Sequence, residues 1–194
     1  MQLIHKATQK GFTLVELLIV VIILALLAAI VVPQFASSTD DAKMSSLDTT
    51  LGNVRSVIDL YNQQHGRYPG FNTAVGVSAC GGGGTAGAGT GGAGVQGEQA
   101  FLDQLSMYTD AAGGACSVKD AIYEFGPYLN KNTMAENPIT NVATIEVVDA
   151  GDLLMAGTAA NGGWKFDIVA GKFIANDTTD IDGAGPGTET YDER

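Results

Sequence analysis

Between Phe12 and Val32 the sequence FTLVELLIVVIILALLAAIVV contains only two polar residues, Thr13 and Glu16. At about 1.5 Å per residue, a run of this length crosses the hydrocarbon of a bilayer as one helix. Lys6 and Lys10 precede it. The positive-inside bias therefore keeps the short start in the cytoplasm and sends everything after Val32 across the membrane. Only one element of this kind is present, so the expected topology is single-pass.

A cleavable secretory signal is the plain alternative, since it too combines a basic start, an apolar run and small residues, here near Ala36. The run is longer than such a signal needs, and it carries Glu16. A charge at the centre of a membrane helix costs about 2.5–3.5 kcal/mol on insertion scales, and less near an interface. A signal peptide gives no reason to bear that cost.

The stretch Lys10-Gly11-Phe12-Thr13-Leu14-Val15-Glu16-Leu17-Leu18 resembles the cleavage site shared by type IV pilins and the pseudopilins of type II secretion. The resemblance implies that a membrane prepilin peptidase cuts after Gly11 on the cytoplasmic side and methylates the new amine of Phe12. It implies a homopolymeric helical filament drawn from a bacterial inner membrane by an assembly platform and a cytoplasmic ATPase, with the C-terminal domain periplasmic or extracellular. In such a bundle Glu16 would neutralise the Phe12 amine of an adjacent subunit. An opposite charge lowers the cost of burying either group, and the need for the pair sets the register between subunits. A carboxylate in the first turn is also favoured by the helix dipole, which accounts for its position alone.

Pro33 should kink the helix by removing a donor and crowding the previous turn. Beyond it, Leu47, Leu51, Val54, Ile58 and Tyr61 recur at four- and three-residue steps. This predicts an amphipathic second half that packs on a head. The expected divisions are a leader over 1–11, a membrane and filament-core helix over 12–33, an amphipathic half over 34–66, and a head over 67–194. Gly66 and Pro69 mark the helix exit, with His65 as a helix-end residue rather than a ligand.

In the head, Phe101, Leu102, Leu105 and Tyr108 predict a short helix over 99–108. Residues 144–148 read as a strand, and 164–169 with 172–174 read as a hairpin about Ala170-Gly171. The expected fold class is α+β: a long N-terminal kinked helix beside a small antiparallel sheet, pilin-like in outline. Two further stretches resemble the major pseudopilins, Gly126–Lys131 with Asn137–Thr140 and Gly163–Phe166 leading to Asn176. Within the family this points to type II secretion, with a type IV pilus subunit as the alternative and a monomeric membrane-anchored ligand-binding protein as the rival of another class.

Without residues 1–11 the chain keeps 8 Lys and Arg against 21 Asp and Glu. So acidic a body repels nucleic acid and anionic lipid. The two cysteines, Cys80 and Cys116, are expected to pair once exported. Between them, residues 81–97 hold ten glycines and should form a mobile loop. The loop lacks the Gly-Lys-Ser or Gly-Lys-Thr ending of a phosphate-binding loop. No Gly-x-Ser-x-Gly elbow or zinc set is present, so no enzyme and no required cofactor are expected. Asp177, Asp180 and Asp182 form an oxygen-rich cluster that reads either as a solvated acidic tail or as a calcium loop. The likeness to the major pseudopilins implies calcium there.

Overall fold

The computed structural model describes residues 11–71, 80–89, 97–158 and 162–178. Helix α1 runs Leu14–His65, and its backbone stays helical through Pro33, so the proline does not end it. The chain divides into two units, Met1–Ala42 and Lys43–Arg194. In the first, Leu14–Val32 is apolar enough to cross a membrane and none of it is buried. All its large apolar side chains face outward because this length of helix has no partner of its own to pack against.

In the second unit the rest of α1 forms one wall of the core. Leu47, Leu51, Val54, Ile58 and Tyr61 are all buried, as their spacing predicts. Arg55 leaves that stripe yet is half-buried, and its Nε donates to the Phe173 carbonyl at 3.0 Å. Burial lowers its pKa, while Asp48 opposes the shift. The helix ends at Gly66, whose φ of 66° is one that only glycine adopts without strain, and whose N–H reaches back to the Asn62 carbonyl at 2.8 Å.

Helix α2, Glu98–Ser106, buries Phe101, Leu102 and Leu105 against this wall. It is shorter than expected. Tyr108 belongs instead to strand β1, Tyr108–Thr109, which pairs antiparallel with β2, Ala115–Cys116. The core sheet is β3 (Ile145–Val148), β4 (Trp164–Asp167) and β5 (Phe173–Ala175). β4 and β5 form the expected antiparallel hairpin, but β3 lies parallel to β4, with Ile145 opposite Trp164. The sheet is therefore mixed, within the α+β class expected.

Trp164, Phe166 and Phe173 carry the sheet into the core, where Phe101 packs 5.1 Å from Phe166 between ring centres. Fully burying each such ring stabilises by about 1.5–3 kcal/mol. The other face of β4 presents Lys165 and Asp167, which are also buried, because the 151–158 loop folds over them. Lys165 Nζ donates to the Ala156 carbonyl at 3.2 Å, and Lys172 Nζ to that of Met155 at 2.9 Å.

Candidate functional site

The expected processing site precedes the helix. Gly11, Phe12 and Thr13 are non-helical and exposed, with Phe12 at 89% of its full accessibility. The Gly11–Phe12 bond therefore lies in open backbone, and a side chain added at Gly11 would meet nothing within 4 Å. Thr13 is the residue before the first helical turn. Its hydroxyl accepts the Glu16 N–H at 3.2 Å, while the Glu16 carboxylate accepts the Thr13 N–H at 2.9 Å and the Thr13 hydroxyl at 2.8 Å. This is a reciprocal capping box, satisfying two donors that a helix start leaves open. The Thr-x-x-Glu spacing was the signal for it, and the dipole argument alone did not reach it.

Cys80 and Cys116 form the expected disulfide, with their Cα atoms 5.6 Å apart. The glycine-rich segment beside it departs from expectation. Over its described part it is fastened: Ala86 bridges to Cys116, Gly87 N–H donates to the Ala115 carbonyl at 2.9 Å, and Ser117 N–H donates to that of Thr85 at 3.0 Å. Gly89 N–H reaches the Asp103 carboxylate at 2.9 Å. A backbone with few side chains can lie flat along β2, which a strand of larger residues could not do. Gly84 shows the constraint, since a Cβ there would stand 2.8 and 2.9 Å from the two cysteine sulfurs. Residues 90–96 of the segment lie outside the described residues.

Of the acidic cluster only Asp177 is described. It is buried two residues after β5, and the Gly157 backbone packs so closely that an added Cβ would come within 3.1 Å of the Asp177 backbone. Asp180 and Asp182 lie outside the described residues. Nearby, Asn176 Nδ2 donates to the Glu146 carboxylate at 2.9 Å and its Oδ1 accepts the Thr158 N–H at 2.8 Å. Among the described residues no three His, Cys, Asp or Glu side chains are placed to hold a metal. The nearby carbonyls of Met155 and Ala156 accept from Lys172 and Lys165.

The two head stretches singled out from the sequence meet. Asn137 Nδ2 donates to the Gly163 carbonyl at 3.0 Å, Thr140 Oγ1 to that of Gly162 at 2.8 Å, and Trp164 Nε1 to that of Ala135 at 2.7 Å. Gly163 itself has no room for a side chain against the Thr144 and Val142 carbonyls. His65 is also more than a helix-end residue. Its Nε2 lies 3.0 Å from Thr109 Oγ1 and 3.1 Å from Tyr128 Oη, joining three segments.

Residues 6–32 match the family described as the prokaryotic N-terminal methylation motif. Over about a third of its length the chain is similar to type IV pilins. Over 70 residues, 36% of this chain and 41% of the relative, it is 40% identical to a fimbrial protein of Neisseria meningitidis serogroup B. It is 38% identical over 71 residues to a type IV major pilin protein of Neisseria gonorrhoeae, taking in 37% of this chain and 43% of the relative. A fimbrial protein of Eikenella corrodens is 34% identical over 74 residues, or 38% of this chain and 48% of the relative. The chain thus spans less than half the length of the relatives it matches. No solved structure matches it. The matched residues 6–32 contain the exposed Gly11–Phe12 bond, the Glu16 cap and the apolar stretch Leu14–Val32.

Proposed function

We propose that this chain is the structural subunit of a type IV pilin-like filament, cut after Gly11 and polymerised through the apolar half of α1. The observation that carries this reading is the order of parts at the N-terminus. An exposed peptide bond lies outside the helix, Glu16 is fixed in the first turn, and behind it 19 residues of apolar helix, Leu14–Val32, find no cover within the subunit. Cleavage would create a positive amine at Phe12, and the Glu16 carboxylate of a neighbour is the group able to neutralise it in an apolar bundle. Peptidase, assembly platform and ATPase follow from the same reading, as does export of the acidic head.

The N-terminal methylation motif over residues 6–32 leaves pilus and secretion branches both open. The secretion branch is the first reading, supported by the sequence resemblance of the stretches around Asn137 and Trp164 to major pseudopilins. The pilus branch is the second reading, favoured by relatives that are fimbrial and pilin proteins. Intact mass and N-terminal sequencing of the chain recovered from its native membrane or filament fraction test the proposal. A start at Phe12 carrying one extra methyl group supports it, and a start near Ala36 would remove it. Long surface filaments in electron micrographs would favour the pilus branch, whereas short periplasmic assemblies accompanying secreted proteins would favour the other.

A further inference from the structure

His65 closes α1 inside a small aromatic box. Its ring lies 4.1 Å from that of Tyr61, 5.0 Å from Phe125 and 6.4 Å from Tyr128. Tyr128 donates its phenolic proton to Gln64 Oε1, so its oxygen is left to accept from His65 Nε2–H, which Thr109 Oγ1 also approaches. With Nε2 protonated, Nδ1 holds the lone pair. Among the described residues that nitrogen, like the hydroxyl of Tyr61, is buried and has no hydrogen-bond partner.

We propose that His65 is a pH-operated latch, which when neutral fastens the last turn of α1 to β1 and to the 125–128 segment, and when protonated releases that turn. An added proton goes to Nδ1, a buried nitrogen without a hydrogen-bond partner among the described residues, and the Ala111 backbone offsets only part of the solvation lost there. The groups facing the ring from each element are Tyr61 and Gln64 on α1, Arg67 just beyond it, Thr109, Asp110 and Ala111 around β1, and Phe125 and Tyr128. Burial disfavours the charged ring most, Arg67 adds repulsion, and the Ala111 backbone and Asp110 oppose them with a smaller pull. Cation–π attraction to the Tyr61 face also favours the proton. The net direction is a pKa below that of a free imidazole. The latch is therefore closed above pH about 6.5 and loses its hold as the pH falls from there through the folded value.

The test uses the full chain in detergent micelles. The His65 ring is titrated by NMR, and amide exchange, corrected for its intrinsic pH dependence, is followed in residues 62–66 and in α2. The expected result is a His65 midpoint below about 6.5, with protection of residues 62–66 falling by up to roughly tenfold per pH unit between that value and the folded midpoint, while α2 is unchanged. His65→Gln should abolish the pH dependence. A midpoint at or above the free value, unchanged protection while the ring titrates, or a folded His65→Gln chain that keeps the wild-type profile would each overturn the latch. Should His65→Gln fail to fold, the wild-type titration and exchange decide alone.

Discussion

The Asp167 carboxylate accepts the backbone N–H of Asp152 at 3.0 Å, and its other oxygen takes those of Val169 at 2.8 Å and Ala170 at 2.9 Å. One buried side chain thereby holds both the β4–β5 turn and the loop that covers β4. Burial alone would raise its pKa, but these donors, with Gly151, outweigh it and hold the group below the usual carboxylate range. Asp167→Asn would set an amide NH₂ against backbone donors, and we expect a loss of about 1–3 kcal/mol, read as a fall in thermal midpoint. The sign with pH follows from the depressed value. Asp167 stabilises the head above the ordinary carboxylate pKa of about 3.9 and stops doing so as pH falls through its lower folded value, so acid unfolding of the variant should lack this contribution.

Glu16 closes the helix cap within its own subunit, and in the proposed filament it would also neutralise an amine on the next. A glutamine at this position still completes a capping box, whereas alanine completes neither task. Glu16→Gln should therefore be processed and keep its helix start yet fail to assemble, whereas Glu16→Ala should be processed but lose both the cap and assembly. Peptidase cleavage assays and filament pelleting measure the two steps. Normal filaments from the glutamine variant would reduce the carboxylate to a cap.

The disulfide closes a loop with a sequence separation of 36. Replacing both cysteines by serine should lower stability by about 4 kcal/mol on the chain-entropy estimate, and free the strand-like pairing of residues 85–87. Calorimetry gives the first quantity and amide exchange at Gly87 and Ser117 the second. A head that melts at the wild-type temperature would show that β2 holds the glycine segment unaided.

Trp164 is the single tryptophan of the chain, fully buried, with Nε1 bonded to the Ala135 carbonyl. Its fluorescence should report head unfolding without interference from any other tryptophan. Trp164→Phe keeps an aromatic ring in the core but leaves that carbonyl without its donor, at an expected cost of about 1–3 kcal/mol in denaturant titration.

Where a signal was local, it was legible. The stripe from Leu47 to Tyr61 gave the buried face of α1, and Ala170-Gly171 gave the hairpin, where Gly171 takes a φ of 69°. The parallel pairing of β3 with β4 was not legible, because its register is set across a long connection by packing rather than by turn chemistry. Nor was the order of residues 81–89, since glycine composition records conformational freedom but not the strand it lies against. His65 was placed correctly at its helix end, yet its partners Thr109 and Tyr128 are 44 and 63 residues away and no pattern along the chain joins them.

The fit of Gly84 over the two sulfurs bears on how the crosslink can be lost. Thiol–disulfide exchange needs a thiolate to reach a sulfur, and Cys116 is wholly enclosed while Cys80 is only partly so. A reductant must therefore enter from the Cys80 side or wait for residues 84–87 to lift away from β2. The glycine segment acts as a cover plate on its own fastener, and the lifetime of the bond in a reducing medium becomes a measure of how often that cover opens.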